Sequence, residues 1–150
     1  MSVNEIIVDT PPAAVWDVLA DPPSYEEWVV GNKDIRGYDR SWPTPGTEFG
    51  HEVGFGPLTV KDKTVALEST APRRLVMNVR ALPVGHGIVT LELEEQGSGT
   101  RVRMEEHPAG GPIKLLWPVI DPLVKLRNVE TLRRLKRLAE SRHQTPADRT

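Results

Sequence analysis

Between Ile35 and His107 apolar residues return at every second position in one segment after another, and this pattern commits half the chain to half-buried strands. From Thr47 to Phe55, Phe49, His51, Val53 and Phe55 share one side, and Glu48, Gly50, Glu52 and Gly54 the other. Gly54-Phe55-Gly56-Pro57 reads as a hairpin turn, and a strand from Leu58 to about Ser69 is predicted to offer Val65 and Leu67 to the same side. Ala71-Pro72 turns the chain into Leu75, Met77 and Val79, which alternate with Val76, Asn78 and Arg80. Val89, Leu91 and Leu93 alternate with Thr90, Glu92 and Glu94. After the turn Gln96-Gly97-Ser98-Gly99, Val102 and Met104 alternate with Arg101, Arg103 and Glu105. Such strands build an antiparallel sheet with one wet face, and the dry face needs a cover.

The last third of the chain is the only stretch long enough to supply it. Asp121-Pro122 has the form of an N-cap followed by proline at the first helical position, and no breaker follows before Pro146. Leu123, Leu126, Val129, Leu132, Leu135 and Leu138 recur every third residue. That spacing drifts by about 60° per step against a helical turn, so they cannot share one face. At helical spacing Val124, Leu132, Leu135, Leu138 and Ala139 form an apolar half, with Arg133, Arg134, Lys136 and Arg137 mostly opposite. Asn128 and Thr131 fall within the apolar half, which suits a helix closing over a space that is not fully dry. Leu123, Leu126 and Val129 lie off the stripe, and are expected to pack under the preceding segment or to form a dimer patch. That segment, Pro112 to Ile120, follows the Gly110-Gly111 joint, is crowded with prolines, and is predicted to be a separate turn or gate.

Upstream, Val3 to Val8 reads as a strand. Asp9 or Thr10 is expected to cap a helix that begins at Pro11-Pro12 and buries Val15, Trp16, Val18 and Leu19. Asp21-Pro22-Pro23 stops it, and a short helical piece from Ser24 to Val29 carries Tyr25 and Trp28.

A chain of 150 residues fits one domain. Residues 1–141 are assigned to it, and 142–150 to a polar, disordered tail. A formal charge of −2 gives no general pull on nucleic acid, and the helical arginines have no aromatic residues interleaved. No nucleic-acid partner is therefore expected. The absence of cysteine excludes disulfides, thiol nucleophiles and thiolate metal sites. With no signal-like start and no apolar run of membrane-spanning length, a soluble cytoplasmic protein without stable membrane insertion is the default. His51, His86 and His107 lack tight ligand spacing, and His86 is placed in a loop, Val84-Gly85-His86-Gly87. Asp34, Asp39 and Glu48 form no calcium-loop pattern, and no glycine-rich phosphate motif is present. No metal or cofactor is expected, and the chain is taken as a monomer or homodimer.

The segment Pro11-Pro12-Ala13-Ala14-Val15-Trp16-Asp17-Val18-Leu19-Ala20-Asp21, preceded by a strand and followed by Trp28, resembles the opening of the START-like or Bet v 1-like (SRPBCC) superfamily, in its polyketide cyclase/dehydrase branch. Gly46 before a strand, Ala71-Pro72-Arg73-Arg74-Leu75, Gly99-Thr100-Arg101-Val102 and the terminal Leu132, Leu135 and Leu138 extend the likeness along nearly the whole chain. The resemblance implies an α+β helix-grip fold, in which a curved antiparallel sheet wraps the long C-terminal helix around a mostly apolar cavity. It also implies a broad range of functions: relatives bind lipids, sterols, polyketides or hormones, some guide polyketide cyclisation, and others act as co-chaperones. Fold alone does not choose among them.

The polar residues on cavity-facing positions carry the candidate chemistry. His51 stands between Phe49 and Val53, and Glu106 continues the inward series of Val102 and Met104. Either has the chemistry of an acid, a base or a ligand hydrogen-bond partner. Asn128 and Thr131 would meet a ligand from the helix or bond the sheet. Trp28, Trp42, Phe49, Val53, Phe55, Met77, Leu91, Met104, Trp117 and Val124 are the candidate apolar walls. Three readings follow: a binder of a hydrophobic small molecule such as a polyketide, lipid or isoprenoid, a cyclase or aromatase using His51 and Glu106, and a partner-docking module working through the outer face of the last helix.

Overall fold

The alternating segments pair into a single antiparallel sheet. A computed structural model describes residues 2–55, 57–81 and 85–148, with side chains described throughout except at 53–55, 58, 81 and 144–148. Strand β1 (Ser2–Val8) leads into helix α1 (Pro12–Leu19), a 3-10 turn (Pro22–Ser24) and the short α2 (Tyr25–Trp28). Strands β2 (Asn32–Arg36), β3 (Glu48–Phe55), β4 (Leu58–Thr70), β5 (Arg74–Ala81), β6 (Gly85–Gln96) and β7 (Gly99–Gly110) follow, and α3 (Ile113–Asp148) ends the described chain. The sheet order is β1-β7-β6-β5-β4-β3-β2, so consecutive hairpins run across it and β1 closes against β7. This is the α+β helix-grip arrangement, with α3 held against the inner face.

Phe49, Leu75, Met77, Leu91, Leu93, Val102 and Met104 are buried inward as their alternation predicts. On β4 the facing is reversed from expectation: Thr64 and Ala66 are buried, whereas Leu67 is exposed. The hairpin accounts for this. Phe49 pairs with Thr64 and His51 with Asp62, and partners across a ladder share a face, so the inward positions run 60, 62, 64 and 66. Asp62 and Thr64 sit on that face and disguise its period, Leu67 alternates to the other face, and a bulge shifts the register between Ala66 and Glu68. Strand β2 was not legible, because Asn-Lys-Asp-Ile-Arg carries one apolar residue on an exposed edge. His86 is not in a loop but in β6, paired with Arg80 and Gly110.

Two helix starts also differ. Pro11 takes the cap position of α1 with no side-chain hydrogen bond, so neither Asp9 nor Thr10 caps it. Helix α3 begins at Ile113 and passes through Pro118 and Pro122, so Pro112 to Ile120 is its first turns and not a separate gate. Each proline removes one backbone hydrogen bond at a cost of about 3 kcal/mol in a helix interior. Ile113, Trp117, Ile120 and Val124 recur at helical spacing on the side toward the sheet, and their burial offsets that cost. Asp121 is not an N-cap; it accepts the Ser2 hydroxyl at 2.6 Å, which holds its carboxyl below the ordinary range. Asn4 donates to the Lys125 carbonyl at 3.2 Å, a second tie from β1 to α3.

Farther along α3, Leu132, Leu135 and Ala139 are buried in one apolar cluster with Val15, Val18, Leu19, Leu91 and Leu93. Beside it Tyr25, Trp28, Trp42 and Phe49 stack with ring centroids 4.7 to 6.1 Å apart. The Tyr25 hydroxyl and Trp42 Nε1 both donate to the Leu19 carbonyl, at 2.8 and 2.9 Å, satisfying the end of α1. Tyr25→Phe is expected to cost roughly 1 kcal/mol in chemical denaturation, because Trp42 still serves that carbonyl. In a double-mutant cycle with Trp42→Phe the combined loss should exceed the sum of the two, since the buried carbonyl is then left without a donor.

Candidate functional site

Helix α3 packs densely only in its second half. Over its first half it stands off the sheet and leaves a cavity of about 410 Å³. The sheet supplies Thr64, Met77, Val79, Val89 and Met104, α2 and the following loop supply Tyr25, Trp28 and Val29, and α3 supplies Ile113, Trp117, Ile120 and Val124. These side chains are almost wholly apolar. Glycines bring β6 and the start of α3 close at one end. A Cβ at Gly85 would collide with the Gly110 carbonyl and stand 2.5 Å from Ile113 Cγ2, and the residue's φ of +144° disfavours other side chains.

A polar wall interrupts this lining where β7, α3 and the loop before β2 meet. Glu106 Oε1 accepts from Asn128 Nδ2 at 3.1 Å and lies 3.7 Å from Arg127 Nη1. Arg127 Nε donates to the Val30 carbonyl at 2.9 Å, and the Val30 N–H donates to Thr131 Oγ1 at 3.2 Å. Asn32 lines the cavity beside them, and its buried Oδ1 has no hydrogen-bond partner. The Glu106 and Arg127 charges offset each other, so the wall is polar without a strong net charge. His86 also lines the cavity, its Nδ1 3.0 Å from Asn78 Oδ1.

Of the residues singled out from sequence, Trp28, Met77, Met104, Glu106, Trp117 and Val124 line this cavity. Trp42, Phe49 and Leu91 do not; they are buried in the packed cluster. Asn128 and Thr131 are wholly buried and spend their hydrogen bonds on Glu106 and Val30, bracing the wall without lining the cavity. The side chains of Val53 and Phe55 lie outside those described. Leu123, for which the sequence offers a place beneath the Pro112 to Ile120 segment or in a dimer patch, is largely exposed and forms part of the cavity rim. Sequence reasoning missed Arg127, Asn32 and His86. Arg127 borders Asn128 on the helix and Glu106 is an inward acid, so the pairing signal was present. The facing of Asn32 depends on the unrecognised β2.

His51 is wholly buried beside Phe49, with ring centroids 6.2 Å apart, and does not line the cavity that Glu106 lines. Strands β4, β5 and β6 stand between the two in the sheet order, so the structure does not bring together an acid/base pair from His51 and Glu106. Neither ring nitrogen makes a hydrogen bond of ordinary geometry. Burial holds its pKa below the usual histidine value, against the opposing pull of the Lys63 main chain and the Asp62 carboxylate.

The family described as polyketide cyclase / dehydrase and lipid transport matches residues 2–140. Among solved structures, a protein from Nitrosomonas europaea is 20% identical with a TM-score of 0.72, the alignment covering 93% of this chain and 94% of that one. One from Mesorhizobium loti is 21% identical with a TM-score of 0.65, covering 92% and 95%. A protein from the dynemicin biosynthetic locus is 19% identical with a TM-score of 0.67, covering 93% of this chain and 47% of that one. At these identities the likeness shows the fold. No curated protein matches.

The state of His51 yields a pH dependence. Because its folded pKa is depressed, only the unfolded chain takes up its proton as pH falls below the ordinary histidine value of 6.5. Stability contributed by the neutral ring is therefore present above that pH and lost on acidification. The thermal midpoint should fall between pH 7 and pH 5, and His51→Leu should flatten that limb while matching or slightly exceeding the parent at pH 7. An unchanged slope in the variant would show that another group carries it.

Proposed function

Because this chain belongs to the polyketide cyclase / dehydrase and lipid transport family, we propose that it binds a hydrophobic small molecule of polyketide, lipid or isoprenoid type in the space between sheet and α3. The observation that carries the reading is the cavity itself, about 410 Å³ bounded by apolar side chains and edged by one polar wall. That volume lies within the range of sites for drug-sized ligands. Burial of the ligand's apolar body supplies affinity, and the wall orients its polar end. Glu106 Oε1 is occupied by Asn128 and Arg127, which leaves the second carboxylate oxygen to accept from a ligand hydroxyl. A neutral, hydroxyl-bearing ligand suits this wall, since an anionic head would meet the Glu106 carboxylate.

The cyclase reading is less well supported. An acid/base mechanism requires both groups within reach of the substrate, and His51 is set apart in the packed core. Turnover would have to rest on Glu106 together with His86, a second titratable side chain of acid/base type that lines the cavity.

Titration with a fluorescent apolar probe tests the binding. Val79→Trp fills the cavity from the sheet side and should weaken the probe at least tenfold, with the thermal midpoint little changed. Equal affinity in the variant would count against this cavity. A long-chain alcohol should bind roughly five- to tenfold more tightly than its methyl ether, the worth of about one hydrogen bond. Glu106→Gln should shrink that preference.

A further inference from the structure

The outer face of α3 over its first turns is apolar and uncovered. Leu115, Leu116, Val119, Leu123 and Leu126 are each between 57% and 86% exposed. At 100° per residue they fall within an arc of roughly 100°, so they form one continuous stripe and not scattered exceptions. Sequence spacing places Leu123 and Leu126 either under the preceding segment or in a dimer patch, and that segment belongs to the same helix and cannot cover them.

Basic residues outnumber acids along this helix. Between residues 112 and 142 there are eight lysines and arginines against Asp121, Glu130 and Glu140, in a chain whose total is −2. The helix therefore carries a formal excess of positive charge in a chain that is anionic overall. Lys114 and Lys125 are exposed at one flank, and Arg133 and Arg137 continue the line of the stripe toward the C-terminus. The acids cancel part of this charge, and Arg127 and Arg142 pair with Glu106 and Asp21, which leaves Lys114, Lys125 and Arg133 as the exposed cations of the helix without an ion pair among the described residues. Asp121 accepts from Ser2, Glu130 is flanked by Arg134 and Arg137 at 3.5 and 3.0 Å, and Glu140 is 2.5 Å from Lys136.

We infer that this face docks on an anionic lipid surface, with the leucine stripe lying among the acyl chains and the flanking cations against the head groups. Apolar burial and attraction to anionic lipid are the two terms that hold an in-plane amphipathic helix to a bilayer. Two copies of the chain joined through the stripe would bury similar apolar area but would set two cationic helices against each other, which disfavours self-association here. No described helix is long and apolar enough to cross a membrane, so the association is peripheral. Leu123 belongs both to the stripe and to the cavity rim, so docking would bring that rim to the bilayer. The docking itself does not depend on what the cavity holds.

Co-sedimentation with vesicles tests it, using phosphatidylcholine alone and phosphatidylcholine with one-third phosphatidylserine. The full chain should partition onto the anionic vesicles, weaken markedly in half-molar salt, and bind neutral vesicles far less. Leu115→Glu combined with Val119→Glu should lower partitioning about tenfold or more, because two inserted side chains are replaced by anions. Both positions are exposed, and an unchanged thermal midpoint would confirm that the fold is intact. Lys114→Gln with Arg133→Gln should reduce only the salt-sensitive part. Failure to bind either vesicle, or binding indifferent to the glutamates, overturns the inference. So does sedimentation as a dimer that the same glutamates dissociate, which would make a second copy the occupant.

Discussion

The cavity depends on how α3 is tied down at its middle. Asn128, Arg127 and Thr131 bond to Glu106 and to both main-chain groups of Val30, all within two consecutive turns. C-terminal to this belt, Leu132, Leu135 and Ala139 enter a dry core. N-terminal to it, the helix is tied to β1 through Ser2 and Asn4 and leaves the sheet beneath it partly uncovered. A buried polar group left without its partner costs about 1 to 3 kcal/mol, so collapse of the first half onto the sheet would forfeit several such bonds. The same groups that prevent collapse also form the polar wall, which joins the stability of the space to the chemistry of its edge.

How much of this was legible follows from where the signals are local. Alternation on β3, β5, β6 and β7 identified the inner face, since strand facing needs nothing beyond the period. On β4 polar Asp62 and Thr64 point inward and Leu67 faces outward, so composition misled where hairpin geometry would have decided. Sequence alone makes Pro118 part of a separate turn and Pro122 a helix start, because a proline's local cost is visible in sequence and the packing that offsets it is not. The aromatic residues misled in a related way. Trp42 and Phe49 look like cavity walls, but the bare carbonyl at the end of α1 draws Trp42 and Tyr25 into a packed cluster. Glu106 was found by period, while its partner Arg127 lay on a helix whose beginning had been misplaced.

Arg127 and Glu106 also bear on what a ligand can be. A partly buried ion pair owes much of its stability to each charge having the other, and removing either leaves an uncompensated charge facing an apolar space. A ligand that brings its own charge must compete with one member of the pair and strand the other. A hydroxyl donated to the free carboxylate oxygen leaves the pair intact and adds a charge-assisted hydrogen bond. Asn32 lines the same edge, but its Oδ1 is buried, so the carboxylate is the acceptor this edge offers. Selection would then run through hydrogen-bond donors at one end of the molecule, while the apolar side chains opposite contribute affinity with little discrimination among hydrocarbon skeletons of similar size.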